Sequence, residues 1–100
     1  MTPNHRSRAL LESSSWLVDI VERRITRILT RDLFGCFDLL AVRGAETLAI
    51  QTTTASNMAA RRKKVLASSF LPALRAAGWQ IALHGWRTVK GRWCCKQEAL

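Results

Sequence analysis

Two short apolar runs joined by a polar turn constrain this 100-residue chain more than any other feature. Phe37-Asp38-Leu39-Leu40-Ala41-Val42 leads through Arg43-Gly44-Ala45-Glu46 into Thr47-Leu48-Ala49-Ile50-Gln51-Thr52-Thr53. Gly44 supplies the turn, so residues 37–43 and 47–53 read as a β-hairpin. The turn reverses the chain, and an acid on one strand can then converge with a polar run on its partner. Asp38 is such an acid, and Gln51-Thr52-Thr53 is such a run. A polar cluster inside apolar strands is costly unless it is paired, hydrated or bound to a cation. A divalent metal site is one reason to keep it.

The rest of the chain can be placed around this hairpin. Residues 8–12 suit a short helix, and residues 16–22, rich in β-branched side chains, suit a strand. Residues 23–35 are polar and arginine-rich without periodicity, which predicts a loop, mobile in the absence of a ligand. Residues 57–77 form the longest helical stretch, with Ser56 as N-cap and Met58, Leu66, Phe70 and Leu74 near one face. Pro72 lies inside it, so the helix kinks or restarts there, and Gly78 stops it. Residues 79–86 read as a strand, and a last short strand over 92–96 follows a turn at Lys90-Gly91. This predicts a single α/β domain in αβββαβ order, a mixed central sheet flanked by helices.

Length and composition agree with one domain that buries a modest core. No run approaches the length of a membrane span, and residues 1–6 lack the apolar stretch of a signal peptide. A cytoplasmic protein is expected, with no membrane partner and no small-molecule cofactor. Cys36, Cys94 and Cys95 lack zinc-ribbon spacing and read as idle thiols in a reducing compartment.

The net charge is +9, and its placement matters more than its size. Residues 51–97 contain no acid but carry Arg61, Arg62, Lys63 and Lys64 as an unbroken basic run. Arg23, Arg24, Arg27 and Arg31 form a second basic group. Two basic clusters flank the one acidic hairpin, so a polyanion is the natural partner, and nucleic acid is the commonest.

Asp38, the apolar strand after it, the turn, and Ile50-Gln51-Thr52-Thr53 resemble the PD-(D/E)XK nuclease superfamily. The nearest branch is the small Holliday-junction-resolvase-like proteins of phages and bacteria. The likeness runs over residues 8 to 93. In that family an Asp opens one strand of a hairpin, and the next strand carries Glu-x-Lys or a variant such as Gln-x-Lys or Gln-x-Thr. Asp38 matches the Asp and Gln51 the Glu/Gln position, whereas Thr53 stands in place of the Lys and Phe37 in place of a preceding Pro. The resemblance implies a restriction-endonuclease-like domain and a metal site of Asp38, Gln51 and the Thr52 carbonyl, holding Mg2+ or Mn2+.

Metal-assisted phosphodiester hydrolysis needs hard oxygen ligands near one point. With Asp38 the only charged ligand of that set, a second acid is needed; Glu22 is the first candidate, followed by Asp32 and Glu12. A cation near the scissile phosphate must replace the missing lysine. Lys63 is the candidate, since a lysine relocated to this helix is a variation within the family. Arg23, Arg24, Arg27, Arg31, Arg61, Arg62 and Lys64 would hold DNA phosphates. Trp79, Trp86 and Trp93 recur every seven residues and suit the core, with Trp86 available to stack on a base. The first expectation is a metal-dependent DNA endonuclease, acting as a homodimer on branched or junction DNA. The second is a catalytically inactive DNA-binding module on the same fold, favoured by Gln51 and Thr53. The third is a basic protein that acts through another protein.

Overall fold

The computed structural model covers residues 1–100 and contains a five-stranded mixed sheet whose strands lie in the order Leu17–Ile20, Leu39–Arg43, Glu46–Thr54, Gln80–Val89, Arg92–Ala99. Helix α1 (Pro3–Glu12) precedes β1 (Leu17–Ile20), β4 (Leu39–Arg43) and β5 (Glu46–Thr54). Between β1 and β4 the short strands β2 (Arg23–Arg24) and β3 (Thr30–Arg31) form a separate two-stranded ribbon. A 3-10 turn at Ala55–Asn57 leads into α2 (Met58–Leu66) and α3 (Leu71–Ala76), and β6 (Gln80–Val89) and β7 (Arg92–Ala99) complete the sheet. Only β5 and β6 are parallel; the other pairs of the large sheet are antiparallel. A parallel pair needs a long crossover, which α2 and α3 supply. No helix is long and apolar enough to cross a membrane.

Helices cover both faces of the sheet. Cys36, Phe37, Ala49 and Ile81 pack against Val65, Leu71 and Leu74 on the α2–α3 side. Val18, Leu39, Ala41 and Ile50 pack against Leu11 and Trp16 on the α1 side. The central strand β5 is therefore buried without interruption from Ala49 to Thr53, as a strand covered on both faces should be.

Local chemistry explains where the elements differ from the sequence reading. Helix α1 starts at Pro3 rather than at residue 8, because Thr2 caps it: its Oγ1 accepts from the His5 N–H at 3.3 Å, and Pro3 fills the first turn. The stretch 23–35 is not a plain loop, since Arg23 pairs with Arg31 and Arg24 with Thr30. The helix predicted over 57–77 is two helices. Pro72 lacks an N–H and its ring excludes a helical carbonyl four residues back, so α2 ends at Leu66 and α3 restarts with Pro72 in its first turn. Ser56 does not cap α2; its hydroxyl bonds Thr54 Oγ1 at 3.1 Å instead. Strands β6 and β7 run longer than expected and meet at Lys90 and Gly91, where φ is 51° and 77°; two successive positive values suit a two-residue hairpin turn.

The inward stripe of α2 also differs. Val65 is fully buried, whereas Leu66 and Phe70 are each 49% exposed. Met58 and Val65 define the buried line, so the helix sits about 100° from the rotation that Leu66 implied.

Candidate metal centre

Backbone bonds fix Asp38 where three segments meet. Its N–H donates to Ile50 O at 2.9 Å, and its carbonyl accepts from the N–H groups of Val21 at 2.8 Å and Glu22 at 3.3 Å. The end of β1 is thereby tied to the mouth of the β4–β5 hairpin, and Glu22 comes with it. The return of the β2–β3 ribbon delivers Asp32. One carboxylate oxygen from each of Glu22, Asp32 and Asp38 lies within 4.8 Å of the others. These three acids could hold a metal ion.

The Asp38 side chain is 5% exposed and held by a network. Its Oδ2 accepts from Thr52 N at 2.9 Å, Gln51 Nε2 at 2.8 Å and Thr52 Oγ1 at 3.2 Å. The Thr52 hydroxyl also bridges to Asn4 Oδ1, and Asn4 Nδ2 donates to Glu22 Oε2 at 2.9 Å. Burial pushes the Asp38 pKa up to about 7; the Thr52 N–H opposes this, and the charges of Asp32 and Glu22 add to it.

Gln51 supplies the most telling atom. Its Nε2 donates to Asp38 Oδ2 and, at 3.1 Å, to Thr52 O. Both partners are acceptors, so a flipped amide would set oxygen against oxygen; the orientation follows from the chemistry. Gln51 Oε1 is then buried without any hydrogen-bond partner. An orphaned buried acceptor is costly, and a cation beside it removes the cost. Carboxylates and amide oxygens are hard-oxygen donors, the kind that divalent cations take.

These groups open into a cavity of about 840 Å³. Arg24, Arg27, Arg61 and Lys64 line it together with Asp38, Glu22, Asp32, Gln51 and Thr52. The one cavity thus holds both acidic and basic side chains.

Other residues singled out from the sequence lie elsewhere. Lys63 does not line the cavity; Lys64 does. The reason is the rotation of α2: with Met58 and Val65 inward, Arg61 and Lys64 share the flank toward Asp38, and Lys63 points outward. Arg62 lies on the opposite flank and forks onto Glu98 of β7, with bonds of 2.5 and 2.6 Å. That pairing raises the Arg62 pKa and lowers that of Glu98. Thr53 is buried but outside the cavity lining. The Thr52 carbonyl, implied as a ligand, accepts from Gln51 Nε2 at 3.1 Å. Arg23 and Arg31 are exposed on the ribbon, outside the cavity. Glu12 pairs with Arg8 at 3.7 Å.

Trp86 is no stacking platform. It is buried, and its Nε1 donates to Ser7 Oγ at 2.8 Å. Ser7 Oγ also meets His84 Nδ1 at 2.8 Å, and burial holds the His84 pKa down to about 4. Trp93 is the exposed one, at 49%, with the Arg6 guanidinium 3.9 Å over its ring. The three cysteines are free thiols.

Asn4 carries no sequence signal for a site; it arrives because α1 begins five residues earlier than its apolar residues suggest. No protein-family model and no curated protein matches the sequence.

Proposed function

We propose that the protein is a divalent-metal-dependent DNA endonuclease, a small member of the PD-(D/E)XK superfamily. The observation that carries this reading is that Gln51, whose Oε1 is buried and unpartnered, lines the same cavity as three clustered carboxylates. The cationic walls of the same cavity add to it. The element order also supports a restriction-endonuclease-like domain: a carboxylate at the mouth of an antiparallel hairpin, then helices, then a strand parallel to the second hairpin strand.

Asp38, Glu22, Asp32 and Gln51 Oε1 would hold a magnesium or manganese ion. When bound, the ion supplies Lewis acidity to phosphodiester hydrolysis. The chain's own groups do the rest. Thr52 and the Gln51 amide hold Asp38 Oδ2 in place, which leaves Oδ1 for the ligand role. Asn4 orients Glu22. Arg61 and Lys64 face the cavity and neutralise charge that develops on the phosphate, the part Thr53 cannot play. One such domain cuts one strand, so cleavage of both strands of a junction takes a second copy of the chain.

The rival reading is a DNA-binding module without catalysis. Thr53 in place of the family's Lys favours it. The two are separated by incubating the protein with magnesium or manganese and duplex, single-stranded or four-way-junction DNA. The nuclease reading expects cleavage that chelator and Asp38→Ala both abolish, with binding kept or improved. Binding without cleavage of any of these substrates would establish the module instead.

A further inference from the structure

The β2–β3 ribbon ends in a tip that the metal centre does not need. Ile28 at that tip is 98% exposed, and Ile25 and Leu29 beside it are 51% and 50% exposed. Single exposed apolar residues are ordinary, but this one is held in place. The N–H groups of Ile28 and Leu29 both donate to Thr26 Oγ1, at 3.3 and 3.1 Å. The Arg24 guanidinium donates to the carbonyls of Thr26 at 3.4 Å and Arg27 at 3.1 Å. The Ile25 N–H closes the loop onto Leu29 O at 2.8 Å.

The ribbon is also electrostatically unbalanced. Arg23 stands directly opposite Arg31, and like charges on facing strand residues repel. Neither of these, nor Arg24 or Arg27, takes part in an ion pair. A polyanion lying along the ribbon relieves that repulsion. The tip shares the cavity of the acids, since Arg24, Arg27 and Ile28 line it together with Asp38.

An exposed apolar side chain carried on a hydrogen-bonded turn of an arginine-rich ribbon has a specific complement in nucleic acid. Phosphates take the arginines, and an apolar side chain enters between bases whose stacking is already broken. Continuous duplex offers Ile28 nothing until a base step is opened, which costs energy; a bulge, mismatch or junction has met that cost in advance. We propose that Ile28 is a wedge that occupies an opened base step while Arg23, Arg27 and Arg31 hold the flanking phosphates, so that the site selects DNA with a disrupted stack. This inference rests on the nuclease reading and names its substrate class. Arg24 is a positioning residue, because its guanidinium shapes the tip.

The test uses the full chain in chelator, so that no strand is cut, and duplexes with 2-aminopurine beside a single-base bulge or in fully paired sequence. The wild type should bind the bulged duplex more tightly and raise the 2-aminopurine fluorescence, and Ile28→Phe should do the same. Ile28→Ala, a change at an exposed position, should lose about tenfold in affinity for the bulged duplex. Its affinity for paired duplex should not change, and the fluorescence rise should vanish. Equal bulge preference and equal fluorescence in Ile28→Ala and wild type would overturn the wedge while leaving the nuclease reading intact. Ile28-dependent unstacking without metal-dependent cleavage would remove the nuclease reading and keep the wedge. A wild type that binds neither duplex overturns both.

Discussion

Asp38→Asn should stabilise the metal-free protein, and by an amount that grows with pH. Asp38 is buried beside Glu22 and Asp32, and its pKa is raised from 3.8 to about 7. Between these two values the folded chain binds a proton that the unfolded chain has released. The stability from the protonated group is therefore full below pH 3.8 and falls as pH rises toward 7. A shift of this size corresponds to about 4 kcal/mol at pH 8, falling below about 1 kcal/mol at pH 4. Asparagine imitates the protonated acid: its carbonyl accepts from Gln51 Nε2 and Thr52 N, and it brings no charge toward Glu22 and Asp32. The predicted gain of Asp38→Asn over wild type is thus small at pH 4 and about 4 kcal/mol at pH 8, before relaxation of the site reduces it. The assay is urea unfolding of both proteins in chelator at several pH values. His84 acts in the opposite sense, losing stability as pH falls from 6.5 toward 4, but it does so in both proteins and cancels in the difference. A difference that stays constant from pH 4 to pH 8 would refute the reasoning, because it would mean that Asp38 is not perturbed by its surroundings.

Four further outcomes are expected. Manganese affinity, measured by calorimetry, should rise about tenfold per pH unit up to about 7 and then level off, because a proton must leave Asp38 before the cation binds. Arg61→Ala with Lys64→Ala should weaken binding to all DNA sequences alike and lower the salt slope by up to about 2. Lys63→Ala, which changes a residue outside the cavity, should leave the slope unchanged. Ser7→Ala should cost about 2–3 kcal/mol in thermal or chemical unfolding, because it leaves Trp86 Nε1 and His84 Nδ1 buried without their shared partner.

The hairpin and its polar end were legible because both are local. Strand alternation, Gly44 and twelve intervening residues bring Asp38 and Gln51 to 2.8 Å. The α2 flank was misread by one residue, and that residue decides which lysine faces the site. Leu66 and Val65 are both apolar, so periodicity over a nine-residue helix cannot choose between them; packing against Ala49 and Ile81 does. Asp32 was only a secondary candidate because its arrival depends on the ribbon, whose two rungs pair arginines and threonine without apolar alternation. Asn4 was out of reach for a similar reason. Its place follows from the Thr2 cap and from the docking of Ser7 and Leu11 on the sheet, which are long-range facts. The orphaned Gln51 oxygen is visible only once every neighbouring donor has been assigned.

Glu22, Asp32, Asp38 and Gln51 Oε1 are proposed to form one divalent-cation site. A crystal soaked in manganese, with anomalous data collected near the manganese edge, tests it directly. One strong peak is expected in the cavity, at coordination distance from Asp38 Oδ1 and Gln51 Oε1 (about 2.2 Å), and it should be lost in Asp38→Ala. A peak that avoids Gln51 Oε1, or a cavity without any peak at saturating manganese and pH 8, would contradict it.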